Sequence, residues 1–322
     1  MGHALALAER GRGLCTPNPM VGAVVVAGGR VVGEGFHSRA GGPHGEVEAL
    51  DRAADRARGA TLYVTLEPCN HHGRTPPCAD AVRAAGIRRV VAAVADPNPR
   101  VHGGGARALQ EAGLEVVVGC LAEEARACNR VFFTAMERQR AHVTLKCAAS
   151  LDGKIAAADG SSRWITGEPA RREAHRLRSE SDGVMVGIGT VLADDPALTV
   201  RLEAPWPREP WRIVVDSRAR LPLDARVIRA GSPSRVIAAV ADEAPADSVA
   251  RLEASGVSVL ACKSREGRVD PVDLCSRLFA SDVTGVLLEG GGRLNGAFVE
   301  AGLVDRVAMF VAPLLLGGER AP

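Results

Sequence analysis

The chain has 322 residues, 46% of them hydrophobic, and at about 100–200 residues per domain it is expected to hold two, each with a core of its own. Its 40 Lys and Arg stand against 38 Asp and Glu, spread evenly: residues 1–140 carry 17 basic and 14 acidic groups, so neither half is a basic arm or an acidic tail. With only six Phe, three Trp and one Tyr to stack on bases, a dedicated nucleic-acid binder is disfavoured.

The apolar stretch from Ala4 to Ala8 closes at Glu9 and Arg10, too short for a signal-peptide core. No segment approaches the roughly 20 apolar residues of a membrane span, and Ala6 stands where myristoylation of Gly2 would want Ser or Thr. A cytoplasmic protein without a membrane partner is expected. Its eight cysteines then read as free thiols or metal ligands rather than as disulfides.

Apolar β-formers at 21–27 and 30–36 flank Gly28-Gly29, a hairpin pattern. Val47, Leu50, Ala54 and Ala57 recur at helical spacing and predict a helix over 45–58. A strand over 60–66, a helix over 78–85, a strand over 88–95, a helix over 104–112, a strand over 114–118 and a helix over 123–137 follow. A strand over 142–149 opens a second series. There, helices over 169–181, 247–255, 271–281 and 294–301 alternate with strands over 183–186, 211–215, 235–240, 286–288 and 306–311. The alternation argues for α/β layers, and the charged helix end at Glu137, Arg138 and Arg140 places the boundary, giving domains 1–140 and 141–322.

The strongest local pattern is His44-Gly45-Glu46 followed by Pro68-Cys69 and Cys78. Two thiolates and an imidazole suit zinc, and three protein ligands leave a fourth position for water. Glu46, two residues past His44 at a helix start, is placed to shuttle protons without ligating the metal, and Cys78 opens a helix, where a thiolate is favoured. The zinc-deaminase pattern His-x-Glu with Pro-Cys-x-x-Cys is matched in its first half, whereas the cysteines here stand nine positions apart. Either half alone reads equally well as a loop histidine or as buried small hydrophobes; together they favour a metal site. His71 and His72 remain open between substrate contact, loop polarity and a competing ligand. Cys15, Cys120, Cys128, Cys147, Cys262 and Cys275 share no ligand spacing. Asn18 and the Asp96-Pro97-Asn98-Pro99 turn offer polar groups for a pyrimidine and a sugar, although turn chemistry alone accounts for them.

In the second domain, Gly187-Ile188-Gly189-Thr190 and Gly290-Gly291-Gly292-Arg293-Leu294-Asn295-Gly296 each follow a strand. Glycines there let main-chain N–H groups approach a phosphate. Neither loop matches Gly-x-Gly-x-x-Gly, so spacing alone leaves cofactor binding and an ordinary turn equally open.

Taken together, the segments 16–24, 44–46 and 65–78 resemble the RibD family of bifunctional riboflavin biosynthesis proteins, whose deaminase domain has this long inter-cysteine loop. Residues 146–154, 162–167, 187–201 with Asp194-Asp195-Pro196, and 289–297 are similar to that family's reductase domain. The resemblance implies a cytidine-deaminase-like three-layer domain followed by a dihydrofolate-reductase-like α/β domain. It implies zinc-dependent deamination of a phosphoribosylated diaminopyrimidinone, then NADPH-dependent reduction of its ribosyl group to a ribityl chain. Glu46 is the implied catalytic residue and His44, Cys69 and Cys78 are the implied zinc ligands.

By matching position, NADPH is implied at Ala148, Trp164, Thr190, Asp194, Ser217, Gly291, Gly292, Arg293, Leu294, Asn295, Gly296 and Ala297. The substrate is implied at Ser162, Arg178, Leu198, Arg201 and Glu289. Guanidinium forks at Arg178 and Arg201 suit a sugar phosphate, and Ser217 or Arg218 suits the ribose phosphate that separates NADPH from NADH. Lys154 is open between a ligand contact and a solvated turn. The family implies a homo-oligomer, a dimer or tetramer, and chains that run on beyond 313–318, so this one is expected to be short at its C-terminus. Two competing readings are a single-function nucleoside or tRNA-base deaminase with a non-catalytic second domain, and a structural zinc closed by His71 or His72.

Overall fold

A computed structural model describes residues 1–72, 76–99, 101–156 and 166–318, and in it the chain divides into two compact units, Met1–Gln139 and Arg140–Pro322. The first is built on strands β1 (Gly22–Ala27), β2 (Arg30–Phe36), β3 (Thr61–Val64), β4 (Arg89–Ala92) and β5 (Glu115–Val118), in spatial order β2-β1-β3-β4-β5. β1 pairs antiparallel with both β2 and β3, and β3, β4 and β5 run parallel. Its helices are α1 (Gly2–Glu9), α2 (Gly45–Ala53), α3 (Cys78–Ala84), α4 (Gly104–Glu111), α5 (Ala122–Cys128) and α6 (Arg130–Arg138). The two-residue period of β1 decides what packs where. Ala23 and Val25 join Ala49, Leu50 and Ala53 of α2 in the main core, while Val24 joins Ala4 and Leu7 of α1 on the opposite face. Gly33 and Gly35 let α2 lie directly on β2, since a Cβ at Gly33 would come 2.2 Å from the Ala49 carbonyl oxygen.

The second unit carries β6 (His142–Ser150), β7 (Gly183–Gly187), β8 (Trp211–Val215), β9 (Val236–Ala241), β10 (Ser258–Cys262), the short pair β11 (Ser264–Arg265) and β12 (Arg268–Val269), β13 (Gly285–Leu288) and β14 (Val304–Ala312). Its helices are α7 (Glu168–Glu180), α8 (Ile188–Asp194), α9 (Arg226–Arg229), α10 (Ala246–Ala254), α11 (Pro271–Ala280) and α12 (Gly292–Glu300). Seven strands form one sheet in the order β10-β9-β8-β7-β13-β6-β14, every neighbouring pair parallel. A parallel sheet is covered on both faces, and the alternation along each strand divides the core in two. Met185, Ile213, Ile237 and Ala239 pack with Leu274, Leu278 and Phe298, whereas Val184, Val186, Val214 and Ala238 pack with Val191, Val227 and Leu252.

The structure departs from the local reading in identifiable places. The helix expected over 123–137 is broken into α5 and α6 at Asn129, whose side-chain oxygen accepts the Met20 N–H at 2.8 Å and whose amide donates to the Met20 carbonyl at 2.8 Å. The helix expected over 45–58 stops at Ala53; Ala54 takes φ 49° and a single 3₁₀ turn, Ala54–Ala57, follows. α1, α8, α9, β10 and the β11–β12 pair are additional elements, and α8 begins inside the glycine stretch that reads as a loop.

One buried ion pair ties the start of the second unit to its edge strand. Arg140 donates to both carboxylate oxygens of Asp305 at 2.8 Å, and Val143 N–H donates to the same group at 2.9 Å. Burial raises the Asp305 carboxyl, but Arg140 and the Val143 N–H outweigh it and hold the group below its ordinary value. The stability this contributes is complete above the unfolded carboxylate pKa of about 3.9 and is lost as pH falls through the lower folded value. Asp305→Asn is expected to lower stability by about 1–3 kcal/mol at neutral pH and to flatten that part of the acid dependence. Denaturant midpoints of the second unit at pH 7 and in mild acid check both effects; an unchanged acid slope would show that the pair does not titrate with unfolding.

Candidate functional site

In the first unit, three donors converge from separate elements. His44 is the N-cap of α2, Cys69 follows β3, and Cys78 is the first residue of α3. The His44 Nδ1 lies 3.1 Å from the Cys78 Sγ and 3.6 Å from the Cys69 Sγ. The main chain fixes this approach, because Cys78 N–H donates to the Cys69 Sγ at 3.3 Å and Ala79 N–H donates to the Cys69 carbonyl at 3.1 Å. One ligand atom from each residue lies within 4.8 Å of the others, and among the described residues neither His71 nor His72 belongs to the group. A three-donor set of one imidazole and two thiols fits zinc with an open position.

The protons in this cluster are shared. Hydrogen bonds from Cys78 and His44 outweigh burial and bring the Cys69 thiol down to about 4, while donating to Cys69, together with burial, pushes Cys78 up. The hydrogen bond to Cys69 also raises His44. Glu46 sits in the first turn of α2, 3% exposed, and burial above all pushes its carboxyl up to about 7. Its Oε2 is buried without a hydrogen-bond partner, which leaves one carboxyl oxygen of the cluster uncommitted.

A further histidine, which the sequence patterns do not single out, completes this side. His37 is buried, stands edge-on to the His44 ring with centroids 5.3 Å apart, and places Nδ1 2.9 Å from the Pro43 carbonyl. Burial lowers its pKa, so the ring is neutral: Nδ1–H donates to Pro43, and the bare Nε2 accepts from the Asn18 amide at 3.0 Å. That bond sets the orientation of Asn18. Its only advance sign is that it directly follows the strand predicted over 30–36. Asp96 is also buried, and burial raises its carboxyl to about 6.

In the second unit the C-terminal ends of four adjacent parallel strands, β8, β7, β13 and β6, carry Ser217, Gly187–Thr190, Glu289–Gly296 and Ala148 respectively. Parallel α/β sheets hold ligands at such an edge. Gly290 lies against β7, where a Cβ would come 2.5 Å from the Val186 Cα, and Gly291 approaches the Thr190 hydroxyl. Leu294 of α12 lies over Gly187. Ser217 Oγ accepts the Val269 N–H at 3.0 Å, and Asp194 is in the last turn of α8. Arg178 is largely committed: its Nε and Nη2 donate to the Glu289 carboxylate at 2.6 and 2.7 Å, and its Nη1 donates to the Thr199 carbonyl at 3.0 Å. Leu198 is buried with φ 52°, and the Arg201 N–H donates to His175 Nδ1 at 3.2 Å. Burial, with Arg178 and Arg201 nearby, lowers His175 to about 4, so it is neutral. Ser162 and Trp164 lie outside the described residues.

Comparisons with known proteins match both units. Residues 1–94 match the cytidine and deoxycytidylate deaminase zinc-binding region, and residues 141–322 match the RibD C-terminal domain. The chain is 45% identical over 322 residues to the riboflavin biosynthesis protein RibD of Actinobacillus pleuropneumoniae, covering 100% of this chain and 85% of that protein. Against the Escherichia coli RibD the identity is 45%, covering 99% of this chain and 88% of the other. Among solved structures, Acinetobacter baumannii RibD superimposes with a TM-score of 0.90 at 41% identity, over 99% of this chain and 87% of that one. A Thermotoga maritima diaminohydroxyphosphoribosylaminopyrimidine deaminase/reductase gives 0.85 at 38% identity, over 99% and 87%.

Proposed function

The chain belongs to the RibD family of bifunctional riboflavin-biosynthesis enzymes, and we propose that its first unit carries the deamination and its second the reduction, through the residues named here. The substrate class is the one for which the Thermotoga protein is named, a diaminopyrimidine bearing a phosphoribosylamino group. The observation that carries the reading is Glu46, buried, with an uncommitted carboxyl oxygen, two residues from His44 in a three-donor cluster.

Zinc held by His44, Cys69 and Cys78 supplies, when bound, a Lewis acid that makes water nucleophilic near neutral pH. Glu46 takes a proton from the attacking water at Oε2 and passes it to the ring nitrogen, then takes the remaining proton from the added hydroxyl and passes it to the departing amine, acid–base work through one carboxyl. Asn18, oriented by His37, and Asp96 with Asn98 face the pyrimidine and its sugar.

In the second unit NADPH supplies, when bound, the hydride that turns the ring-opened ribosyl group into a ribityl chain. The glycines at the start of α12 let main-chain N–H groups meet its phosphates. Ser217, already accepting from Val269, keeps its own O–H to donate to the ribose phosphate. Arg178 holds Glu289 in place with part of its donor fork and, with the exposed Arg201, is assigned to the sugar phosphate. Ala148, Thr190, Asp194 and residues 291–297 are assigned to NADPH; Leu198, Glu289 and Ser162 are assigned to the substrate, and Trp164 to NADPH.

The same reading makes the chain a cytoplasmic homo-oligomer with a small-molecule substrate and no nucleic-acid partner. It is supported by the even charge and by the absence, among the described residues, of a helix long and apolar enough to cross a membrane. The exposed row Val307, Met309 and Val311 on the edge strand β14 suits burial against a second copy.

The test uses the full chain with stoichiometric zinc, the diaminopyrimidine substrate and NADPH, following ammonia release and NADPH absorbance together. Ammonia first and NADPH oxidation afterwards is the expected course. Zinc-loaded, folded protein that releases no ammonia would overturn the substrate assignment.

A further inference from the structure

Glu67 stands between β3 and Cys69 and is 3% exposed, yet among the described residues its carboxylate is met by main-chain N–H groups and by no cation. Oε2 accepts from Asp96 N–H at 3.2 Å and from Gly103 N–H at 2.9 Å, and Oε1 accepts from Ala106 N–H at 2.9 Å. These donors come from both ends of one segment, 96–103, and from the first turn of α4.

The described residues of that segment fold back on one another. Asp96 Oδ1 accepts the Asn98 N–H at 2.8 Å, and the Asn98 carbonyl accepts from Val101 and His102 N–H at 2.8 and 3.0 Å. The His102 ring lies 2.9 Å from the Asp96 carbonyl. On its other side Glu67 is locked to the sheet by its own N–H, which donates to the Val94 carbonyl at 3.0 Å. The next residue, Pro68, is in direct contact with α4, because a Cβ at Gly105 would come 1.7 Å from the Pro68 carbonyl oxygen. One buried carboxylate therefore clamps the segment bearing Asp96 and Asn98 to the strand end bearing Cys69.

We propose that Glu67 is a positioning residue of the deaminase unit: it sets where Asp96 and Asn98 meet the pyrimidine and its sugar relative to the metal ligands. This rests on the deaminase reading above. The geometry explains why a carboxylate stands there. Three N–H donors need acceptor lone pairs on both side-chain oxygens. A glutamine would turn an NH₂ toward at least one of those donors, and an aspartate, one methylene shorter, reaches one end of the segment but not both.

Glu67→Gln and Glu67→Asp in the full, zinc-loaded chain test the proposal. The deaminase KM is expected to rise about tenfold or more with kcat changed less than about threefold, the pattern of lost binding geometry rather than lost chemistry. Zinc content is expected to stay stoichiometric, and amide hydrogen exchange over 96–106 to quicken while α3 and β3 keep their protection. The exchange readout needs no substrate, so it stands even if the assigned pyrimidine is wrong. In that case the parent chain itself releases no ammonia, which separates the two failures. An unchanged KM and unchanged exchange in both variants would overturn the proposal. So would loss of zinc and of protection throughout the first unit in both, since Glu67 would then be a general stability element.

Discussion

Glu46→Gln is expected to cut ammonia release by about 10²–10⁴-fold, the usual weight of a general acid–base group, while zinc content and NADPH oxidation with the deaminated intermediate stay as they are. The substitution keeps the size of a side chain that is 3% exposed in the first turn of α2, so packing against the core is retained. What it removes is a transferable proton at the one carboxyl oxygen of the cluster that has no partner. The proposed metal donors are separate side chains, His44, Cys69 and Cys78, and the donor set survives the change. The second half-reaction is an internal control for folding and concentration in the same polypeptide. Ammonia release within about threefold of the parent would move the proton shuttle elsewhere, with Asp96, whose carboxyl burial raises to about 6, the next candidate.

Glu289→Ala is expected to destabilise the second unit by about 3–5 kcal/mol and to abolish the reduction, because it leaves a guanidinium buried without its counter-charge. Arg178 and Glu289 have side chains only 14% and 9% exposed and share two hydrogen bonds, of 2.6 and 2.7 Å. After truncation the Thr199 carbonyl alone would remain of these partners of Arg178. Burial raises the Glu289 carboxyl, but Arg178 more than offsets it and holds the group below its ordinary value, so the pair is charged at neutral pH. Denaturant unfolding of the second unit, read beside NADPH oxidation with the deaminated intermediate, separates the two consequences. Lost reduction with stability kept would assign Glu289 to direct substrate contact, and lost stability with reduction kept at low denaturant would remove it from the site. Glu289→Gln, which still accepts from Arg178, is expected to be milder on stability, within the 1–3 kcal/mol of a weakened charged hydrogen bond.

Much of this was legible from the residues because it is local. The period of two in β1 and the Gly28-Gly29 turn specify the hairpin, and the alternation of short apolar runs with helical spacing specifies layered α/β units. The three-donor cluster was legible for a different reason. Zinc accepts few side-chain types, so His44, Cys69 and Cys78 stand out even when 25 residues separate the first two and the spacing of the others departs from the general pattern. The family strings then supplied the proposed cofactor and substrate residues that spacing in the Gly187 and Gly290 loops left open.

Tertiary structure decided what depends on residues far apart meeting. The break between α5 and α6 follows from Asn129 bonding Met20, 109 residues away, which outweighs a helical pattern that continues through it. Arg178 looks from sequence like a phosphate ligand, and only its contact with Glu289, 111 residues on, shows that part of its donor fork is engaged within the protein. Glu67 is one acidic residue in a strand-end motif until Gly103 and Ala106 arrive, 36 and 39 residues later, to turn it into a clamp. His37 becomes part of the site only when β2 and α2 bring it against His44. Periodicity and ligand chemistry are properties of a residue and its near neighbours, and the sequence by itself determines them. A buried hydrogen bond or ion pair is a property of two chain segments whose approach is set by the packing of everything between them, and that is settled only when the chain has folded.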